Sequence, residues 1–233
     1  MVPRGRRTVL DVGARDGYVS RQLAALFESV TALDLEAPQI ETERVACVAG
    51  DATRLEFADG SFDTVVCSEV LEHIPGGLLE KACREIARVA RHDVLIGVPY
   101  RQDLRLHRTT CGRCGKVNPP WGHVNSFDEG RLRTLFGMLT PVASELAGPP
   151  RRGTNGLSAW LMDLAGNPWG SYSQAEPCIY CGAKLQAPAE GDVFAKACAK
   201  AAHSLNHIQG LFSRARGSWI HMLFAKGGAG GAR

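Results

Sequence analysis

At 233 residues, with 45% apolar and 22% charged content, the chain is long enough to bury a sizeable core and is ordinary for a globular protein. Its formal net charge of +3 is too small to argue for a nucleic-acid partner, and no basic, aromatic-interleaved stripe is present. No apolar run approaches the roughly 20 residues needed to span a bilayer, and the first apolar segment begins almost at Met1, so no signal peptide, no membrane and a cytoplasmic location are expected.

Thr8 to Glu28, TVLDVGARDGYVSRQLAALFE, reads as a buried strand, a glycine-bracketed loop and an amphipathic helix. Val9, Leu10 and Val12 form the short apolar run of a parallel strand, and Val19, Leu23, Leu26 and Phe27 share one helical face. Asp11 stands just before the turn, and Gly13 and Gly17 let the backbone bend tightly and approach a ligand. A dinucleotide fingerprint needs glycines two and five places after the first, where Arg15 and Tyr18 stand, so a pyrophosphate is not the expected guest.

Two acidic strand ends follow. Asp34 closes the apolar run Val30 to Leu33, 21 residues after Gly13, a spacing at which an acid accepts both hydroxyls of a ribose. Asp51 closes Val45 to Ala49, with Ala52 offering a backbone amide to an adenine edge. A ligand with a ribose diol, an adenine amine and a sulfonium but no phosphate, S-adenosylmethionine (AdoMet), suits such a set. The stretch FDTVVCSEVLEHIP, Phe62 to Pro75, is the fourth strand.

The run LDVGARDG, the acid at Asp34, GDA at 50 to 52 and FDTVVCSEVLEHIP together resemble a class I AdoMet-dependent methyltransferase of the small-molecule branch called type 11, over about residues 8 to 146 and the last strand, Trp219 to Phe224. Arg15 replaces the middle glycine of that family's usual loop. The resemblance implies an α/β fold: a Rossmann-like, seven-stranded, mostly parallel sheet with helices on both faces and an antiparallel last strand. It implies cofactor contacts at Asp11, Gly13, Ala14, Arg15, Gly17, Asp34, Leu35, Asp51, Ala52, Ser68 and Glu69.

Farther on, Gly77 to Arg91 reads as a helix with Leu78, Leu79, Ala82, Cys83, Ile86, Val89 and Ala90 on its apolar face, and Val94 to Val98 as the fifth strand, ended by Pro99. Ser126 has the spacing of an N-cap with Glu129, before a helix burying Leu132, Leu135 and Phe136. Met138 to Leu146 reads as the sixth strand. The connection from Ala147 to Gly217 is too long for an unstructured loop and holds two packing helices. The first, Gly156 to Ala165, presents Leu157, Trp160, Leu161 and Leu164; the second, Asp192 to Arg214, presents Phe194, Cys198, Ala201, Leu205, Ile208 and Phe212. The expected organisation is a single domain over 1–233, with insertions at 100–125 and 147–217 forming a zinc-bridged lid and a flexible tail at 227–233.

The zinc expectation comes from Cys111 and Cys114 in CGRCG and Cys178 and Cys181 in CIYCG, two CxxC knuckles each followed by a glycine. In a reducing compartment such pairs point to a tetrahedral thiolate site rather than disulfides. Four thiolates leave no open position, so the zinc is structural; activation of a thiol substrate on it is the weaker variant. Cys47, Cys67, Cys83 and Cys198 read as small core residues.

His107, His123 and Tyr100 are the candidate general bases, needed only if the nucleophile arrives protonated. His203 and His207 read as solvated helix residues. Arg101, Arg105, Arg108, Arg113 and Lys116 would favour an anionic acceptor if they face the cleft. The implied reaction is in-line transfer of the sulfonium methyl to an oxygen, nitrogen or carbon of a small molecule. A protein or RNA methyltransferase, or a noncatalytic zinc-bridged AdoMet-binding module, are the alternatives.

Overall fold

A computed structural model describes residues 1–189, 191–212 and 217–227. The expected tail beyond Gly227 and the end of the second connecting helix at Arg214 lie outside these residues. In chain order the elements are β1 (Thr8–Val12), α1 (Tyr18–Leu23), β2 (Ser29–Asp34), β3 (Val45–Ala49), β4 (Phe62–Ser68), α2 (Gly76–Val89), β5 (Ala90–Pro99), β6 (Thr109–Thr110), β7 (Val117–Asn118), α3 (Glu129–Leu135), β8 (Thr140–Ala147), α4 (Gly156–Leu164), α5 (Val193–Phe212) and β9 (Trp219–Ala225). They fall into two compact units. Met1–Tyr100, Phe127–Ala147 and the chain from Trp219 on make the first; Arg101–Ser126 and Gly148–Ser218 make the second. The expected insertions, 100–125 and 147–217, differ from this second unit by one residue at each boundary.

The first unit is a seven-stranded sheet in the order β3-β2-β1-β4-β5-β9-β8. β1 to β5 run parallel, and β9 pairs antiparallel with both β5 and β8. Alternation along the strands divides the core. Leu10, Val65, Ile96 and Met222 bury against Leu79, Cys83 and Ile86 of α2 and Leu132 of α3, while Val9, Val30, Ala32 and Val66 bury with Leu23 and Phe27 on the other face. The strand order reverses between β1 and β4, and ligands of such sheets bind outside the carboxyl ends at that point. Among the described residues no helix is long and apolar enough to cross a membrane.

Several local expectations need correction. α1 ends at Leu23, so Leu26 falls in the following turn and is exposed. β4 stops at Ser68 because Glu69 adopts a left-handed backbone (φ 57°), which turns the chain before Pro75. The N-cap of α3 is Asp128, whose Oδ1 accepts from the Arg131 N–H at 2.9 Å; Ser126 lies two residues too early.

The second unit contains the β6–β7 hairpin, absent from the sequence reading, a short 3₁₀ turn at Pro120–Gly122, and α4 and α5. Asp103 ties its start to its second segment, accepting from Arg105 and from the Thr154 N–H. The helices pack through small groups, with Ala165, Cys198 and Ala199 in one cluster beside Leu161 and Met162. The large side chains assigned to packing instead face solvent: Leu157, Trp160 and Leu164 on α4, and Phe194, Ile208 and Phe212 on α5, are exposed.

Candidate functional site

The loop after β1 lies at the carboxyl end of the switch point. The Gly13 and Ala14 N–H groups both donate to the Leu33 carbonyl, at 2.7 and 3.0 Å, and the Gly17 N–H donates to the Ala14 carbonyl at 2.7 Å. Gly13 has φ 80°, and a Cβ there would sit 2.1 Å from Cγ2 of Val70; Gly17 has φ 76°, and a Cβ there would sit 2.4 Å from Cδ1 of Ile40. Both glycines are therefore required twice, by backbone and by space. Gly13→Ala is expected to destabilise the fold by about 1–3 kcal/mol, read as a lowered urea midpoint. Arg15 stands in the left-handed region as well (φ 46°), so the loop keeps its turn without the family's glycine there.

Asp34 joins two loops. Its Oδ2 accepts from the Arg15 N–H at 2.8 Å and its Oδ1 from the Leu35 N–H at 2.7 Å, while its own carbonyl accepts from the Gly50 N–H at 2.7 Å. A carboxylate has about four acceptor sites, so each oxygen retains capacity for a further donor. Asp51 accepts from the Thr53 N–H at 2.7 Å, and Ala52 beside it is buried. Leu35 is 75% exposed, an apolar surface at the mouth of the same loop. Ser68 and Glu69 end β4 across the switch point, with the Glu69 N–H donating to the Gly97 carbonyl at 2.9 Å. Asp11 lies beneath, accepting from the Ser20 hydroxyl at 2.6 Å; burial pushes it up to about 6.

Sequence reasoning quoted Glu72 only as part of a motif. It is fully buried, and neither carboxylate oxygen has a hydrogen-bond partner among the described residues. Burial, then the neighbouring Glu69, pushes it up to about 8, so it is neutral at pH 7. The signal available was an acid inside an apolar run. The folded state holds this proton more tightly than the unfolded chain, whose carboxyl has the ordinary value of 4.5; the stability it contributes is complete below pH 4.5 and lost as pH rises through about 8. The urea midpoint of the wild type should fall across that window, and the fall should be flatter in Glu72→Gln.

In the second unit the four cysteines of the two knuckles gather, with all Sγ atoms within 4.8 Å of one another. Cys111 and Cys181 are 3.7 Å apart, as are Cys114 and Cys178. The knuckles repeat one backbone pattern: the Gly115 and Gly182 N–H groups each donate at 2.8 Å to the carbonyl of the first cysteine, and the N–H of that cysteine donates at 2.9 Å to the carbonyl five residues on. Both glycines have positive φ, 70° and 68°.

His107 and His123 flank Trp121, with ring centroids 6.2 and 6.0 Å away, and the Arg151 guanidinium lies 5.9 Å over the indole. His123 is buried, its Nδ1 2.6 Å from Oε1 of Gln102, so Nδ1 carries the proton and Nε2 is the basic nitrogen. Tyr100 belongs to the sheet unit, half-buried after β5 and bridged to Phe127. Among the cations expected to draw an anion, Arg105 pairs with Asp103 and Arg108 with Asp163, each at 2.8 Å. Local pairing therefore removes them from the expected basic patch.

Residues 10–96 match the model of a methyltransferase domain family. An uncharacterized methyltransferase of Mycobacterium bovis is 35% identical over 173 residues, covering 64% of this chain and 82% of its own. A ubiquinone biosynthesis O-methyltransferase of Xanthomonas campestris pv. campestris is 33% identical over 91 residues, covering 34% and 38%. Among solved structures, the YcgJ protein of Bacillus subtilis has a TM-score of 0.57 at 17% identity, covering 97% of this chain and 94% of its own. A 1,6-didemethyltoxoflavin-N1-methyltransferase of Burkholderia thailandensis, solved with 1,6-didemethyltoxoflavin and S-adenosylhomocysteine, has a TM-score of 0.52 at 17% identity, covering 96% and 73%.

Proposed function

The chain belongs to the class I S-adenosylmethionine-dependent methyltransferases, and from that membership we propose that it methylates an oxygen, nitrogen or carbon of a small-molecule acceptor, with a zinc-braced second unit selecting that acceptor. The observation that carries the cofactor side of this reading is Asp34, which holds the glycine loop through the Arg15 N–H and keeps acceptor capacity for a ribose diol. Ala52 offers its N–H to the adenine edge, and Leu35 an apolar face. When bound, AdoMet supplies the electrophilic methyl. The protein's own contribution is positioning, with nucleophile and methyl held roughly 3–3.5 Å apart. His123 Nε2, His107 and Tyr100 are the proposed proton acceptors for a nucleophile that arrives protonated.

Zinc fits the cysteine set. Bonds of about 2.3 Å in a tetrahedron place sulfurs about 3.8 Å apart, against about 2.05 Å in a disulfide; Cys111–Cys181 and Cys114–Cys178 are 3.7 Å apart, and all four sulfurs lie within 4.8 Å of one another. Four thiolates close the coordination, so the metal is structural in this reading. Small-molecule acceptors are supported by the relatives named for ubiquinone biosynthesis and for 1,6-didemethyltoxoflavin. Arg101, Arg113 and Lys116, all exposed, are the cations proposed to favour an anionic one.

The test couples S-adenosylhomocysteine (AdoHcy) calorimetry to transfer of label from radioactive AdoMet into phenols, nitrogen heterocycles and their carboxylated analogues. Methylation of one such class supports the proposal. Label entering only protein or RNA from an extract would move the acceptor to a macromolecule, and AdoHcy binding with no turnover would indicate a noncatalytic module.

A further inference from the structure

We propose that α5 is a membrane-surface element that lays its exposed apolar stripe into a bilayer carrying anionic lipid. On a helix, residues three and four apart share a face. Phe194, Ala197, Ala201, Leu205, Ile208 and Phe212 follow that spacing, and on this stripe Phe194 is 64%, Ile208 54% and Phe212 86% exposed. The side of α5 that packs in its own unit is a different one, built from Cys198, Ala199, Ala202 and Gly210. A second stripe at the same spacing, Lys196, Lys200, His203 and His207, borders the apolar one and is exposed too.

The division of charge selects the occupant. Between Val193 and Arg216 the sequence contains no Asp or Glu, and Arg214 and Arg216 follow the described helix. A buried protein partner needs only apolar complementarity, and a second copy of this chain would bring an identical acid-free, basic helix against this one. An anionic lipid surface satisfies both stripes at once: phenyl and aliphatic groups enter the acyl boundary while the lysines meet the headgroups. The helix is peripheral in this arrangement, which is consistent with the lack of a spanning helix among the described residues.

Co-sedimentation of the full chain with vesicles of phosphatidylcholine, with and without about one third phosphatidylserine, tests this. The wild type should sediment with the anionic vesicles and be released by high salt. Lys196→Glu with Lys200→Glu should weaken binding about tenfold or more, and Phe194→Ser with Ile208→Ser and Phe212→Ser should abolish it. All five positions are exposed, and unchanged AdoHcy affinity and zinc content would show that the variants fold. No binding to anionic vesicles, equal binding to neutral ones, or sedimentation velocity showing a dimer that the serine variant abolishes would each overturn the proposal.

Discussion

Asp34→Ala is expected to remove measurable AdoHcy binding in calorimetry, a loss of at least about a hundredfold. Two hydrogen bonds from ribose hydroxyls to an ionised carboxylate are worth about 1.5–3 kcal/mol each, and every 1.4 kcal/mol is about tenfold in affinity. The alanine also leaves the Arg15 and Leu35 N–H groups without their acceptor, so the glycine loop loses the contact that fixes it beside β2. Asp34→Asn separates the two effects. It keeps an oxygen for one N–H but loses charge and one acceptor, and should fall between wild type and alanine. Affinity unchanged in the alanine variant, with a normal unfolding transition, would sink the assignment of this loop as the cofactor site.

The sheet and this loop were legible because their determinants are local. Short apolar runs such as Val30 to Leu33 and Val94 to Val98 bury on both faces of a parallel sheet, and a left-handed turn announces itself by Gly13 and Gly17. The knuckles were legible for the same reason. What was illegible depends on choices between equivalent groups. Ser126 and Asp128 can both cap a helix, and only the acceptance from Arg131 identifies the second. Arg105 and Arg108 read as free cations until Asp103 and Asp163 are placed beside them. On α5 hydrophobicity suggested that Phe194 and Ile208 were the contact, whereas the cluster with Ala165, Leu161 and Met162 is made through the small residues Cys198 and Ala199. Glu72 shows the limit most clearly, since its place inside the apolar run VLEHIP hints at burial but does not say whether a partner waits for its carboxylate.

Replacing Cys111 and Cys178 together with serine is expected to release zinc and unfold the second unit while leaving the sheet unit able to bind AdoHcy. Around the knuckles the buried apolar cluster consists of Cys111, Cys178 and Leu185, with Tyr172, Cys181 and Ala183 packed against it, too little apolar surface to hold two chain segments unaided. With the proposed zinc bound, metal binding, worth about 10–16 kcal/mol in small zinc domains, would be the larger part of what closes this centre. One substitution lies in each knuckle, so neither can keep its pair. Metal analysis should find stoichiometric zinc in the wild type and none in the variant, and limited proteolysis should cut the variant within 101–126 and 148–218. The cofactor residues named above all come from the other unit, from Asp11 to Glu69, so AdoHcy affinity should change little while methyl transfer is lost. Cys198→Ser is the control, since Cys198 lies in the α4–α5 cluster and its loss should leave the zinc in place. A wild type purified without metal, and unable to take up zinc after reduction, would end the zinc assignment whatever the variant did.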